Sequence, residues 1–323
     1  FSDCSSLTSV TIPDNVTKIG SFAFAGCSSL TSVTIPDSVT NIEGGVFVGC
    51  RSLTSIEVLE GNAEYSSIDG VIFDKNKVTL VQFPTGRSGH YTTPEGVGSI
   101  GEGAFGDNKS LTSITVSEGV TIIGSWAFSG CYGLTNLTIA DSVTSFGGGA
   151  FSGCKGLTSI EVGEGNPNYS SKDGVLFNKN KTTLIQFPTG RSGHYTIPKG
   201  VTSIDGWAFH GCTNLTSVTI PDTVTSIAGN AFGECHSLTS VTIPEGVTSI
   251  GGDAFINCYG LTSVTIPNTV TTISGRAFAD TKLTEVTIPN PNTVIADDAF
   301  DSSVNITAAF YSAPLTYLME GNS

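Results

Sequence analysis

Eight cysteines carry the most reactive side chains of this sequence, and they recur at a regular spacing. They are Cys4, Cys27, Cys50, Cys131, Cys154, Cys212, Cys235 and Cys258. Each follows a phenylalanine by three residues, and none belongs to a Cys-x-x-Cys pair or to the Cys and His spacing of a zinc site. If the spacing reflects stacked coils, neighbouring cysteines lie about 4.8 Å apart with parallel Cβ directions, whereas a disulfide needs Cβ atoms about 3.8 Å apart. We therefore expect free, buried thiols.

The histidines and carboxylates do not form a catalytic motif. His90, His194, His210 and His236 do not share one repeat position, so they predict no metal cluster. The sequence contains no recognisable Ser/His/Asp constellation, nucleotide-binding glycine loop or spaced carboxylate pair. It predicts a protein that is not an enzyme and needs no cofactor or metal.

Half of the basic residues lie in two short stretches of an acidic chain. Of 14 lysines and arginines, seven fall within residues 60–90 and 164–194, while the formal net charge is −14. A His-Tyr pair ends each stretch. The candidate partner-binding residues are therefore Lys75, Lys77, Arg87, His90, Tyr91, Lys179, Lys181, Arg191, His194 and Tyr195. We expect the two stretches to emerge on one side of the molecule and to present one contact surface twice. The alternative is that these residues are ordinary solvated turn residues.

A repeated unit of 23 residues must position all of these side chains. In the copy at residues 30–50, Val33 and Ile35 alternate with Ser32 and Thr34, the period of a strand with one buried face. Pro36 ends this strand because it has no N–H to donate. A fixed period of 20 to 30 residues is typical of a solenoid, in which each unit buries its apolar side against the next. We predict a leucine-rich repeat solenoid of about ten coils with one continuous parallel β-sheet.

Two insertions interrupt the period, at about 59–93 and 163–197. Residues 54–105 and 158–209 match at 38 of 52 positions without a gap. Within the first insertion, Val71–Phe73 and Thr79–Phe83 flank the polar turn 74–77, which predicts a β-hairpin. The second insertion repeats it at 174–177 and 183–187. Two plain coils and one long coil then separate the insertions.

The whole chain, 1–323, reads as a single solenoid with a C-terminal cap at about 301–323. Ser312 and Pro314 suit the start of a helix and Gly321 its end. Such a helix would cover the open end of the stack.

Charge and hydropathy exclude two classes of partner. Nucleic-acid binding depends on a basic surface, which a net charge of −14 does not supply. No apolar run reaches the roughly 20 residues that cross a bilayer, so this sequence predicts no membrane span.

The repeated units resemble those of the BspA-type leucine-rich repeat family. The resemblance lies in units of the form LTSVTIPxxVTSIGxxAFxxC and in segments such as NPNYSSKDGVLFNKNKTTLIQFPTG. It implies an extracellular or cell-surface adhesion module of an anaerobic bacterium or a parasitic protist. The implied partner is a protein or a glycan, such as a host matrix protein. The alternative is a structural stalk or spacer within a larger surface protein. The family supplies no catalytic residues to carry over.

Two further surfaces deserve comparison with the basic stretches. The outward strand positions form a ladder of hydroxyls, for example Ser217/Thr219, Ser240/Thr242 and Ser263/Thr265, which would suit either solubility or hydrogen bonding to a partner. Phe22, Trp126 and Trp207 precede an Ala-Phe pair. We expect these three aromatic side chains to pack on a neighbouring coil.

Overall fold

The computed structural model of the protein describes residues 1–308 as a stack of short β-strands joined by turns. The first strands are β1 (Lys18–Ile19), β2 (Ser32–Ile35), β3 (Asn41–Ile42), β4 (Ser55–Val58), β5 (Tyr65–Ile68), β6 (Val71–Asp74), β7 (Thr79–Gln82), β8 (Gly89–Thr92) and β9 (Ser99–Ile100). The next are β10 (Leu111–Val116), β11 (Ile122–Ile123), β12 (Asn136–Ile139), β13 (Ser145–Phe146), β14 (Ser159–Val162), β15 (Tyr169–Lys172), β16 (Val175–Asn178), β17 (Thr183–Gln186), β18 (Gly193–Thr196) and β19 (Ser203–Ile204). The last are β20 (Leu215–Thr219), β21 (Ser226–Ile227), β22 (Ser240–Thr242), β23 (Ser249–Ile250), β24 (Ser263–Thr265), β25 (Thr272–Ile273), β26 (Glu285–Ile288), β27 (Val294–Ile295) and β28 (Asn305–Ala308).

The strands stack with equivalent residues of successive repeats in register. Val33 lies opposite Ile56 and Ile114 opposite Leu137, both in parallel pairs. These inward residues are buried, while Ser32 and Thr34 between them are exposed. The alternation in the sequence therefore becomes one dry and one wet side of each strand. The predicted repeat solenoid with parallel strands is confirmed.

Each coil contributes to two faces rather than one. The long-strand face contains β2, β4, β8, β10, β12, β14, β18, β20, β22, β24, β26 and β28, whereas the short-strand face begins with β1 and β3. The prediction of one continuous sheet is wrong, because both faces are divided into separate hydrogen-bonded sheets. Beside β4 in the stack, the N–H of Ile56 in that strand donates to the carbonyl of Gly70. Beside β14, Ile160 donates to Gly174 in the same way. A hairpin tip thus occupies the place of the next strand.

The prediction of about ten coils is also wrong. The long-strand face has twelve strands, and Thr11 adds a further level through its bridge to Thr34, giving about 13 turns. The difference arises because β8 and β18, which end the insertions, form levels of their own. The insertions are consequently separated by four steps on this face, from β4 through β8, β10 and β12 to β14.

Each insertion folds as a three-stranded antiparallel unit. β5 pairs with β6 and β6 with β7, and β7 then joins β9 in parallel on the short-strand face. The second insertion repeats this arrangement with β15, β16, β17 and β19. The unit has one strand more than the sequence predicts, because Tyr65–Ile68 also pairs.

The central strand of each unit is buried on both sides. Ile72 packs in the N-terminal core cluster, whereas Val71 and Phe73 pack in the middle cluster. In the second unit Leu176 faces the middle cluster, and its neighbours Val175 and Phe177 face the C-terminal one. β6 and β16 therefore act as partitions that divide the core into three parts.

The cysteines occupy the interior of the corner that follows the phenylalanines. All eight are free thiols, and all except Cys4 are buried, as the spacing argument predicts. The Sγ of Cys50 lies 3.0 Å from the carbonyl oxygen of Phe24, and that of Cys154 lies 3.0 Å from the carbonyl oxygen of Phe128. Each thiol thus donates to the coil before its own. Burial raises the pKa of both Cys50 and Cys154 to about 12.

The last described strand, β28, pairs in parallel with β26. Residues 301–308 therefore continue the repeat. The remainder of the predicted cap, including the helix at 312–321, lies outside the described residues.

Candidate functional site

The four candidate lysines lie at the turn between the second and third strands of each unit. They are Lys75, Lys77, Lys179 and Lys181. Lys75 donates from Nζ to the carbonyl of Glu60 at 3.1 Å and to that of Asn62. Lys179 makes the equivalent bond to Glu164 at 3.0 Å. These two ammonium groups therefore satisfy carbonyl groups of their own loop. Lys77 and its counterpart Lys181 lie two residues further along the chain and are exposed.

The arginines lie at the opposite end of the central strand. Arg87 Nη1 donates to the carbonyl of Asp69 at 2.7 Å, and its guanidinium lies 5.3 Å from the ring centre of Phe83. Arg191 donates to the carbonyls of Asp173 and Thr158 and lies 5.8 Å from Phe187. Both side chains are held in one position by hydrogen bonds and an aromatic ring.

The two histidines lie on the long-strand face among hydroxyl groups. His90 Nδ1 is 2.7 Å from Ser113 Oγ, and its Nε2 is 3.0 Å from Thr92 Oγ1. His194 repeats these contacts with Ser217 at 2.8 Å and Thr196 at 3.1 Å. The imidazoles are exposed, yet each ring nitrogen has a partner. They extend the hydroxyl ladder rather than interrupt it.

The tyrosines of the His-Tyr pairs point into the solenoid. The ring centre of Tyr91 lies 4.6 Å from that of Phe83 and 5.8 Å from that of Phe105. Tyr195 packs in the same way on Phe187 and Phe209. Desolvation raises the pKa of both tyrosines to about 12. The alternation of β8 and β18 explains this, since a residue next to an outward histidine must point inward.

The ten candidate residues thus do not form one surface in each insertion. Lys75 and Lys77 lie at one end of β6, and Arg87 and His90 lie towards the other end, where Asp69 is. A four-residue strand separates the two groups by roughly 10 Å. The backbone carbonyls that accept from these cations belong to acidic residues, Glu60 for Lys75 and Asp69 for Arg87. What recurs is a half-buried arginine beside an exposed histidine, Arg87/His90 and Arg191/His194, which we call the Arg–His patches.

Sequence reasoning missed a second basic feature. Lys109 Nζ and Lys155 Nζ lie 5.0 Å and 5.4 Å from the ring centre of Tyr132, which is exposed between them. The signal was available, because each of these residues directly follows the repeat position that cysteine or Asn108 occupies. Stacking of successive coils brings such residues together.

Metal binding and membrane insertion concern the described residues 1–308. In this range no group of three or more His, Cys, Asp and Glu side chains could hold a metal ion. No helix within the same range is long and apolar enough to cross a membrane.

Comparison with known proteins identifies the family of the repeat. The model of the BspA type leucine rich repeat region matches in six copies, over residues 1–90, 87–194 and 187–307. This chain belongs to the BspA-type leucine-rich repeat family. Among curated proteins no sequence gives a significant match. Repeat families of this kind are typically non-catalytic scaffolds that bind proteins or other ligands.

Three solved structures resemble this chain along most of its length. The leucine rich cell surface protein of Faecalibacterium prausnitzii is 27% identical, with a TM-score of 0.55, covering 95% of this chain and 87% of its own. The pneumococcal vaccine antigen PcpA is 21% identical, with a TM-score of 0.59 and coverages of 94% and 88%. A leucine-rich repeat protein of Eubacterium ventriosum is 24% identical, with a TM-score of 0.52 and coverages of 99% and 87%. The last two establish the likeness of the fold alone. Together with the family match, the three structures show a leucine-rich repeat fold.

Proposed function

We propose that this chain is an extracellular, non-catalytic adhesion module that binds a protein partner through its two Arg–His patches. The observation that carries the proposal is the duplication of one hydrogen-bonded arrangement. Arg87 and Arg191 each donate to the carbonyl of the residue that begins the hairpin tip. His90 contacts one Ser and one Thr, and His194 contacts one Ser and two Thr. Because these side chains are already held in place, a partner would immobilise them at little further cost in conformational entropy.

The spacing of the patches suits a partner that contacts both. Three hydrogen-bonded steps lead from β8 to β14, about 14 Å along the axis. The hairpin tip at Gly174, not β18, pairs with β14, so the two patches are further apart than this. An extended protein such as a host matrix component would span the distance between the patches. Simultaneous contact would raise the apparent affinity through effective concentration. Guanidinium groups favour carboxylates, so the partner would present acidic side chains.

The family match and the cell-surface neighbour support a location outside the cell. In the proposal, Lys77 and Lys181 contribute at the edge of the contact, since they are exposed but lie at the other end of β6 and β16. Lys75 and Lys179 belong to their own loops, and Tyr91 and Tyr195 support the patches from the core side.

The test compares one-patch and two-patch variants against immobilised fibronectin, laminin and collagen. We expect Arg87→Ser with His90→Ser to weaken binding about tenfold, and the same changes at both patches to abolish it. A matched control, Lys109→Ser with Lys155→Ser, removes two positive charges elsewhere and should leave binding nearly unchanged. Thermal unfolding checks that each variant is folded, because Arg87 and Arg191 are half-buried and donate to backbone carbonyls.

Two outcomes would contradict the proposal. If Thr219→Asp, Thr242→Asp and Thr265→Asp abolish binding while the patch variants retain it, the hydroxyl ladder is the binding surface. If the unchanged protein binds none of the matrix proteins and the full-length gene encodes a separate binding domain, the chain is a structural stalk.

A further inference from the structure

A notch opens on the outer side of the coil that carries the second insertion, because this coil lacks part of the outer turn that plain coils have. In a plain coil, Gly124–Trp126 forms an outer turn before Ala127 and Phe128. In the second insertion, Gln186 directly precedes Phe187, although Phe187 still donates to the next coil at Ala208, 2.7 Å away. The missing outer turn leaves a cavity of about 220 Å³ between the coils on either side.

Trp207 lines this notch, and Trp126 packs beside it. The indole of Trp126 lies against Gly149, where an added Cβ would approach Trp126 ring carbons to 2.7–3.0 Å. Trp207 comes from the coil on the far side, and its Nε1 would lie 4.0 Å from a Cβ at Gly148. The two ring centres are 5.0 Å apart with an angle of 82° between the planes. Trp126 remains 38% exposed.

The backbone at these two positions is left-handed, as it is at Phe22, Asn230, Asp253 and Arg276 in other coils. Trp126 and Trp207 have φ angles of 58° and 67°, in the left-handed region that favours glycine. Glycine does occupy the equivalent position in other coils, at Gly45, Gly103 and Gly149. A large aromatic residue there adopts a backbone conformation that its own side chain disfavours.

Polar groups line the base and the rim of the notch. Gln186 is 95% buried, and its Nε2 donates to the carbonyls of Phe187 and Ala208. These bonds fix the amide at the base of the notch. Asp205 lies exposed at the rim and accepts one bond, from the N–H of Gly206 at 2.9 Å. The notch therefore combines aromatic faces with oxygen acceptors and an indole N–H.

We propose that this notch binds a single neutral sugar ring at the end of a glycan. Its volume is below the roughly 300–1,000 Å³ typical of sites for larger ligands, which fits one pyranose. Indole faces pack on the C–H side of a sugar, while carboxylate and amide oxygens accept hydrogen bonds from its hydroxyls. No cation lines the notch among the described residues, and Asp205 would repel a carboxylate or sulfate. A neutral hexose or N-acetylhexosamine is therefore the class of ligand.

The first long coil provides an internal comparison. Residues 54–105 and 158–209 correspond with an offset of 104, so Gly103 takes the place of Trp207 and Gly101 that of Asp205. Phe22 takes the place of Trp126 and lies against Gly45. The second aromatic face and the carboxylate are specific to the second repeat. The inference goes beyond the proposed function, because the notch and the Arg–His patches share no residue.

Tryptophan fluorescence tests this inference directly, because the chain contains only two tryptophans and both lie at the notch. The probes are the methyl glycosides of glucose, galactose, mannose and N-acetylglucosamine, with sialic acid as the charged comparison. We expect a saturable change with at least one neutral sugar and none with sialic acid. Trp207→Gly, which reproduces the first repeat without strain, and Asp205→Ala should each weaken binding about tenfold. Phe22→Ala is the matched control and should bind as the unchanged protein does.

The proposal is overturned if no neutral sugar changes the fluorescence, or if Trp207→Gly, shown by its melting curve to be folded, binds sugar as well as the unchanged protein. It is also overturned if a proline-rich peptide binds the notch and no sugar does. Binding of the matrix proteins is measured in parallel. Its loss in the patch variants with sugar binding retained would show that the two sites are independent.

Discussion

Ile72 and Phe73 are adjacent on β6, yet their side chains lie in different parts of the core. Ile72 packs with Leu30, Phe47 and the rest of the N-terminal cluster, whereas Phe73 packs with the middle cluster. Leu176 and Phe177 repeat this relationship between the middle and C-terminal clusters. An insertion that reads in the sequence as a surface hairpin is therefore an internal wall that also fixes the hairpin tip beside Arg87.

The partition strands should contribute strongly to stability. We expect Phe73→Ala to lower the free energy of unfolding by about 3–5 kcal/mol, because it removes a fully buried ring and leaves a cavity. Val78→Ala, in the neighbouring turn, is the control, since Val78 is 45% exposed and should change stability by less than about 0.5 kcal/mol. Urea unfolding followed by circular dichroism measures both. Equal effects of the two substitutions would show that β6 is not inside the core.

Asn62 should be essential for the turn that leads into the first insertion. Its buried amide donates to the carbonyls of Pro36 and Val39 and accepts from the N–H groups of Glu64 and Tyr65, all within 2.8–2.9 Å. Asn62→Ala would leave these backbone groups unsatisfied and should cost at least about 2–3 kcal/mol. Asn76→Ala, in an exposed turn, is the control. Urea unfolding measures both variants. An Asn62→Ala variant with an unchanged free energy of unfolding would contradict the assigned hydrogen bonds.

The cysteine ladder should be fully reduced and protected from solvent. We expect eight thiols to react with a thiol reagent after denaturation without reductant, but only Cys4 to react rapidly in the native protein. Mass spectrometry of the labelled peptides identifies the reactive residue. Two or fewer thiols after denaturation would mean that the ladder is oxidised.

The same thiols predict a loss of stability in alkali. Cys50 and Cys154 have native pKa values raised by burial from 9.0 to about 12. The unfolded chain therefore releases these protons at lower pH than the native protein does. The contribution of these thiols to the free energy of unfolding is complete below about pH 8 and falls as the pH rises from 9 towards 12. Urea midpoints in reductant at pH 7.5, 9 and 10, values that bracket the unfolded thiol pKa of about 8.5, should decline. Cys50→Ser with Cys154→Ser should decline less, since serine does not ionise. Identical slopes would contradict the prediction.

The sequence predicts the repeat well because each plain coil obeys one local rule. Alternation at Val33 and Ile35, a stop at Pro36 and a plug at Phe47 together define a coil, and the structure keeps all of them. The insertions were harder to interpret because their central strands pack with coils that are distant in the chain, as Ile72 does with Leu30. Val71, Ile72 and Phe73 form an unbroken apolar run, which is typical of a strand buried on both faces. That signal could have placed the hairpin inside the core.

The candidate site was predicted only in part for a related reason. His90 is exposed and Arg87 half-buried, but Tyr91 points inward because β8 forms a level of the solenoid. Nothing in the local sequence distinguishes a return loop from such a strand. The notch between Gly149 and Trp207 depends on a turn that is absent from the inserted coil, so only stacking of the coils reveals it.

The central claim is that the insertions are internal partitions that hold the hairpin tips, and with them the Arg–His patches, in place. Native-state hydrogen exchange measured by mass spectrometry tests it most directly. The account predicts that peptides containing β6 and β16 exchange as slowly as those containing β12, while the exposed turn 75–78 exchanges rapidly. Exchange of β6 and β16 as fast as that turn would contradict it.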